Sequence, residues 1–438
     1  MIQNRAGLIK NLKDIAINDR RMYALNILER TFDDLDPASI IQRSEDIAKL
    51  IPSCNRKFYV AGIGKAAERM YQGIMARFGD MIEKATIIIP DDDAVSVQDN
   101  RLLVLRGTHP FPSEKSVDSG RKLLDFLSKT EKGSTILFLI SGGGSAIFEV
   151  PDKSYHLNDI IEITKCLMNS GANINDLNTV RISLSAVKGG KLLNFLLDKR
   201  IVALYISDVP FDNLSYIASG PLIPVDVNEK PSDIIRKYSC QGKDNRYMNL
   251  RYEKPVFSGD IRHLLILRNY DFVSDIASYL RKDGYDVLDI GSSIGGEVGN
   301  FAVGLVCLIR DYYAIRRRPF WFVGGGETTV NVRGDGYGGR SQQCCLLVME
   351  KMRDDEDFLF ISAGTDGIDG HSEAMGGIVD SDIKKKVDTQ FLKRSIEGND
   401  SYTLLSRYHS AIISGRTGNN VSDIFLGYYD GGKAEAGN

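Results

Sequence analysis

At 438 residues the chain is too long for one ordinary hydrophobic core, so about two domains of α/β size are expected. Hydrophobic residues at 43% and charged residues at 26% are ordinary soluble-globular values, and a net charge of −3 leaves no basic footprint for nucleic acid. No apolar run approaches the roughly 20 residues of a membrane span, and the N-terminal MIQNRAGLIKNLKD carries too many charges for a signal peptide.

Residues 1–50 read as a helical segment, with apolar residues of IIQRSEDIAKLI at helical spacing and Asp36-Pro37 as a start signal. KFYVAGIGKAAERMYQGIMARF then reads as a strand, a glycine turn and a helix. TIIIP (Thr86 to Pro90) and LLVL (Leu102 to Leu105) are short strands, and a Pro-rich loop carrying His109 leads into an amphipathic helix. TILFLISGGGSA is a buried strand that ends in Ser141-Gly142-Gly143-Gly144-Ser145. NTVRISLSAVKGGK reads as a helix ending at Gly189-Gly190, with Arg181, Lys188 and Lys191 near one another. IVALYISDVP repeats the strand-then-loop grammar and ends in Ser207-Asp208. The polar, Pro-punctuated stretch from 224 to 260 is the best candidate for a domain junction. After it, HLLILRN, DVLDIG, PFWFVGGG, TTVNV, DFLFISAGTDG and AIISG supply a second set of strands.

Strands alternating with helices predict a parallel, Rossmann-like α/β domain over 51–235, with functional loops at the strand C-termini. A second α/β domain is expected over 236–438. There TTVNV, directly after a glycine break, suggests a hairpin and hence a mixed sheet. Six cysteines without a CxxC pair point to reduced thiols in a cytoplasmic protein, with adjacent Cys344 and Cys345 as packing residues.

Trp321 to Gln343 gathers the most chemistry in one stretch: an apolar run, three glycines including Gly325 and Gly326, Glu327, a second glycine cluster and Arg340. Glycine amides can form concave anion sites, and an arginine fork suits phosphate or carboxylate. Lys65 at a helix N-terminus is electrostatically misplaced unless an anion sits there. Gly62, Gly64 and Ala67 spell a G-x-G-x-x-A dinucleotide fingerprint, but the nearest acid after TIIIP, Asp91, stands 29 positions beyond Gly62 instead of about 20. The hydroxyls and amides of Ser141 to Ser145 could hold an anion. Asp366 and Asp369, three apart in a glycine-rich turn after a buried strand, suit Mg²⁺ or a general base, while an EF-hand is excluded. Neither a G-x-S-x-G elbow nor a Walker-type loop occurs, and five histidines make a His-based metal cage a poor reading.

Together these stretches resemble the glycerate 2-kinase (MOFRL-type) family, some of whose members have been called hydroxypyruvate reductases. The resemblance rests on GIGKA, GTHPFP, SGGGSA, NTVRISLSAVKGG, ISDV with IASGP, GGGETTVNVRGDGYGGRSQ, GTDGIDG, and NDSYTLL with TGNNVSD, in that order. It implies two α/β domains with the active site in the interdomain cleft, and ATP-dependent phosphorylation of D-glycerate at the 2-hydroxyl with Mg²⁺. The family's catalytic lysine falls on Lys65 and its arginine on Arg340. These two would hold the phosphoryl group and the substrate carboxylate, in an order left open. Asp208 and Asp366 join them as catalytic candidates. Glu327, Asp366 and Asp369 are the metal candidates. Gly64, His109, Ser141, Gly142, Gly143, Gly144, Ser145, Arg181, Lys188, Gly189, Gly190, Gly325, Gly326 and Thr365 are candidates for binding substrate or nucleotide.

The sequence departs from the family at Ile182-Ser183, Phe211, Ser341, Gln343 and His371-Ser372-Glu373, which bears on substrate selectivity and the metal shell. The implied partners are glycerate and ATP, with no nucleic acid or membrane, and a homodimer is allowed. Two rivals stand beside this reading: an NAD(P)H-dependent hydroxypyruvate reductase and a non-catalytic sugar-phosphate-binding module.

Overall fold

The structure is a computed structural model that describes residues 7–51, 57–240 and 246–431; Cys54 and the first six residues lie outside them. It divides into two compact α/β units. One holds residues 37–266, and the other combines 7–36 with 267–431.

The first unit is built on a six-stranded sheet. Its strands are β1 (Phe58–Ile63), β2 (Ile82–Pro90), β3 (Leu102–Gly107), β4 (Thr135–Ile140), β5 (Arg200–Ile206) and β6 (Ile261–Leu267), in the order β3-β2-β1-β4-β5-β6. The β3–β2, β2–β1, β1–β4 and β4–β5 pairs are parallel. The central β1 and β4 are apolar and buried nearly throughout, as strands covered on both faces must be, whereas edge strand β3 alternates. Strand order reverses between β1 and β4, the place where doubly wound sheets open a crevice at their strand C-termini.

The expected junction at 224–260 proves to be packing surface. Ile234, Ile235, Tyr247 and Leu250 form a small core with Ile160, Ile163, Leu167, Val180 and Leu184 of the helices Leu157–Asn169 and Ile174–Leu184. The thiol reading also needs correction: Cys166 and Cys240, 74 residues apart, form a disulfide beside this core. Local spacing cannot report a pair that helix packing brings together. Cys344 and Cys345 are buried and unpaired, as their packing role requires.

The second unit carries a mixed sheet of β7 (Val287–Asp289), β8 (Ile294–Glu297), β9 (Phe320–Thr329), β10 (Asp357–Gly364), β11 (Gly376–Asp380), β12 (Ala411–Ile412) and β13 (Asp423–Asp430). The path runs β12-β11-β10-β13-β9-β7, and β8 also pairs β9. β7 and β8 lie parallel to β9, and the remaining pairs are antiparallel. The mixed sheet matches expectation, but the hairpin does not. β9 runs straight through Gly324, Gly325 and Gly326, because a Cβ at Gly325 would stand 1.9 Å from Asn269 Oδ1 and one at Gly326 2.1 Å from Ile294 O.

The N-terminal helices are not a segment of their own. Fully buried Arg21 on Asp19–Asp34 donates to Asp380 Oδ2 at 2.6 Å and to the carbonyl of His409 at 2.9 Å, tying that helix to the second sheet. Removing one partner of such a buried pair typically costs about 3–5 kcal/mol. Among the described residues one helix, Val298–Arg316, is long and apolar enough to cross a membrane by length and composition. Its Val298, Ala302, Leu305, Val306 and Ile309 pack in the second unit's core.

Candidate active site

In the first unit, the GIGK turn after β1 and the SGGGS turn after β4 are joined into one double loop at the switch point. Ser141 N donates to Ile63 O at 2.9 Å, Lys65 N to Gly142 O at 3.0 Å, and Ala66 N to Ser141 Oγ at 3.0 Å. Gly64, at φ +127°, is the close approach that makes this possible, since a Cβ there would stand 2.2 Å from Ser141 Oγ. Ser141 is thus buried and holds the two loops together. The Lys65 side chain crosses the glycines: a Cβ on Gly143 (φ +80°) would meet Lys65 Cγ at 3.1 Å and Cε at 3.4 Å. Gly143 precedes the four-residue helix Gly144–Ile147, whose first N–H groups have no acceptor within that helix.

The His109 loop abuts this turn, because β3 ends at Gly107, where a Cβ would lie 2.1 Å from Ile147 O. His109 itself is exposed. Asp208 follows β5 and is half-buried. Beyond it the backbone enters the left-handed region at Phe211 (φ 59°) and Asp212, then again at Ala218 and Ser219. Phe211 is 85% exposed there.

The three cations of VRISLSAVKGGK separate into two kinds. Lys188 is buried in an ion pair with buried Glu149 and also donates to Ser145 O at 2.7 Å. Burial depresses its pKa against the pull of Glu149. Lys191 donates to Ser185 O at 2.6 Å and lies over the Tyr252 ring. Gly189 and Gly190 serve packing rather than binding, with their N–H groups on Ser219 O and Gly220 O at 3.0 and 2.7 Å. Arg181 differs: its Nη2 reaches only Ser145 O, at 3.5 Å, and its buried Nε has no hydrogen-bond partner. The departures at Ile182 and Ser183 point inward and are buried.

In the second unit, Arg340 opens the helix Arg340–Lys351 and is held by carboxylates on two sides. Nε and Nη2 donate to Asp423 Oδ2 and Oδ1 at 2.7 and 3.0 Å, a bidentate pair, and Nη1 donates to Glu327 Oε1 at 2.5 Å. Burial works against the guanidinium's charge, but Asp423, and after it Glu327, hold it more firmly protonated. Asp423 is 1% exposed and Glu327 is exposed, so the fork has a buried anchoring edge and an outward edge.

Asp369 lies beneath this arrangement. Its carboxylate accepts Ser341 N at 3.2 Å, Gln342 N at 2.9 Å and Gln342 Nε2 at 3.0 Å, so it caps the helix that bears Arg340. Burial, then the charge of Asp423, pushes its pKa up to about 6 despite those donors. These three donors fix both oxygens of the Asp369 carboxylate toward the helix start. Asp366 is half-buried, and its Oδ1 and that of Asp423 both come within 3.5 Å of where a Cβ on Gly364 would stand.

Thr365 is also turned inward. It is 1% exposed, donates to Ser422 O at 2.7 Å and accepts Val421 N at 2.8 Å, which rivets GTDG to the TGNNVSD loop. Among the family departures, Ser341 and Gln343 are buried, and Glu373 accepts the Tyr402 hydroxyl at 2.6 Å.

Asp423, which anchors Arg340, is not among the residues the sequence singles out. An acid at the head of an apolar strand inside the motif TGNNVSD was its one local signal. No cluster of three or more His, Cys, Asp or Glu side chains arranged for a metal ion occurs among the described residues. Asp91, the acid a dinucleotide fingerprint would need, follows β2 and pairs with Lys115 Nζ at 3.1 Å.

Residues 23–249 match a family described as a domain of unknown function (DUF4147), and residues 320–423 match the MOFRL family. The chain is similar to a glycerate 2-kinase of Picrophilus torridus, 41% identical over 423 residues, which are 96% of this chain and 99% of that protein. It is similar to a D-glycerate 2-kinase of Thermotoga maritima, 32% identical over 93% of this chain and 98% of the other. The crystal structure of a glycerate kinase from Thermotoga maritima superposes with a TM-score of 0.81 at 30% identity, covering 92% of this chain and 98% of that one.

Proposed function

The chain belongs to the glycerate 2-kinase family, and we propose that it transfers the γ-phosphoryl group of ATP to the 2-hydroxyl of D-glycerate. The observation that carries the reading is the double loop at the β1/β4 switch point, with the Lys65 side chain laid across its glycine turn. Phosphoryl transfer asks a protein chiefly to position its reactants and neutralise charge, with little covalent chemistry of its own. The bond from the substrate oxygen to γ-phosphorus forms, the bond from γ-phosphorus to the ADP oxygen breaks, and the hydroxyl proton leaves to a base.

Lys65 would meet the phosphates, and Arg340, held steady by Asp423, would offer the transferring group the edge that Glu327 now holds, once Glu327 turns to the metal. Asp366 is the best-placed acid in its unit to receive the proton, because both oxygens of Asp369 are taken. Mg²⁺ would arrive with ATP. Such an ion keeps several waters and needs only one or two carboxylates, so Asp366 and Glu327 fit it although no closed cage exists among the described residues. When bound it neutralises charge on the β- and γ-phosphates.

The same reading has the enzyme at work on small molecules in the cytoplasm, without nucleic acid or membrane, and allows a homodimer. With Cys166 and Cys240 paired, that location no longer draws support from thiols. The reductase alternative rests on a fingerprint whose acid, Asp91, is poorly spaced and pairs with Lys115 Nζ at 3.1 Å. One assay separates the readings: purified protein with ATP and D-glycerate, against NADH and hydroxypyruvate. ADP production with the first pair and no NADH oxidation with the second is expected. The opposite pattern ends the kinase reading, and silence in both favours a binding module.

A further inference from the structure

We propose that Arg181 binds the carboxylate of the acid substrate, with Ser145 and Ser219 beside it facing the substrate hydroxyl. The inference rests on the kinase reading for the identity of the acid. It rests on the structure for the place.

Two arginines are available, and their surroundings are opposite. The Arg340 fork is filled by Asp423 on one side and Glu327 on the other, with Asp369 behind. An incoming carboxylate meets three negative charges around one positive charge there. Around Arg181 the balance is reversed. Its one acidic neighbour, Glu149, is spent on Lys188, so two cations face a single carboxylate. The Arg181 Nε is buried without a hydrogen-bond partner, and Nη2 makes only the long 3.5 Å approach to Ser145 O. Buried donors are almost always satisfied, and leaving one unmet costs about 1–3 kcal/mol. A carboxylate taken up by the fork would satisfy Nε and a terminal nitrogen together, the geometry for which guanidinium is suited.

The neighbourhood is also built in advance. Arg181 lies in the last turn of the helix Ile174–Leu184. Ser145 Oγ and Ser219 Oγ are 2.8 Å apart, a hydroxyl pair able to donate and accept next to the fork. Ser219 sits in a left-handed run with Ala218 and Gly220, at φ 53° to 60°. The N–H groups of Gly189 and Gly190 hold that run in place. Backbone strain of this kind persists where the surroundings over-determine it, typically at ligand sites. A carboxylate on the fork and a hydroxyl at the serine pair describe a small 2-hydroxy acid.

The test is calorimetric titration of the full-length protein with D-glycerate in the absence of nucleotide, alongside steady-state kinetics. Arg181→Ala is expected to weaken D-glycerate binding about ten- to hundredfold and to raise the KM for glycerate, while the KM for ATP stays within about twofold. Arg181→Lys, which keeps the charge and guards against a folding defect, should fall between the two. Glycerol, which lacks the carboxylate, should bind wild type and both variants equally poorly. Wild-type affinity for D-glycerate in Arg181→Lys and Arg181→Ala overturns the assignment, and so does an equal loss of ATP affinity. If wild type binds D-glycerate but transfers no phosphate, the kinase reading fails, and the binding comparison still decides the role of Arg181.

Discussion

Two glycine-rich regions of this molecule read alike in sequence and do opposite work. In the first unit the glycines of GIGK and SGGGS open a turn over which Lys65 lies. In the second, GDGYGG is packed shut. Cβ atoms on Gly334 and Gly336 would stand 2.6 and 2.5 Å from Gly398 O, while the N–H groups of Gly334 and Tyr337 are taken by Asn399 Oδ1 and Asp400 Oδ1. Charge divides the same way, with cations in excess around Ser145 and carboxylates in excess around Arg340. Glycines that read alike thus pack one loop shut against its neighbour and, in the other, make room for a lysine side chain.

The comparison breaks first at Arg340. If its outward edge serves the transferring phosphoryl group, Arg340→Ala should lower kcat/KM by more than two decades. Arg340→Lys keeps the charge but cannot keep both Asp423 bonds and the outward donor, so a loss of one to two decades follows from about 1.5–3 kcal/mol per charge-assisted bond. Steady-state kinetics for glycerate and ATP check this. Near-wild-type kinetics in Arg340→Lys would mean that the carboxylates have neutralised the arginine for structural ends alone.

The excess of acid in the second unit should also appear as pH dependence. Asp369 is 4% exposed with a pKa raised to about 6, against about 3.9 in an unfolded chain. A raised folded pKa means that its stabilising contribution is fully present below about pH 4. The contribution is lost as pH rises through 6, and it amounts to at most about 3 kcal/mol. Asp369→Asn removes that titration and loses part of the helix cap, a cost of about 1 kcal/mol. Urea unfolding of both proteins between pH 4 and 7 should therefore show a steeper decline of stability in wild type. Parallel curves would show that the three N–H donors, rather than burial, govern this carboxylate.

Much of the first unit was legible because parallel strands buried on both faces are continuous apolar runs, and FYVAGI and TILFLI are unmistakable. The turn that follows each strand lies where the alternating order puts it, so the loops bearing Lys65 and Ser145 could be placed at the strand C-termini from sequence alone. Less of the second unit could be read, since its site depends on partners far apart in sequence. Arg340 is 83 residues from Asp423, and Arg21 is 359 from Asp380. Antiparallel pairing made the neighbours, and no local pattern encodes it. The three glycines of β9 mislead for a related reason. They read as a loop, yet Asn269 and Ile294 crowd them into a strand.

The finest test substitutes one glycine in each region. Gly334 has no positive φ, so Gly334→Ala acts through space alone, driving a methyl against the Gly398 backbone. Overpacking of this kind costs about 1–3 kcal/mol, and the expected result is a lowered unfolding midpoint with unchanged KM values. Gly143→Ala is strained by its φ of +80°, by about 1–2 kcal/mol, and its methyl would also press on Lys65 Cγ at 3.1 Å. A lysine side chain gives way more readily than backbone, so the disturbance should pass into the site, and the KM for ATP should rise several-fold. The two alanines thus share a modest destabilisation and differ in where the rest goes. If Gly143→Ala leaves the KM for ATP untouched while Gly334→Ala raises it, the open loop is the one in the second unit, and the phosphates belong there instead.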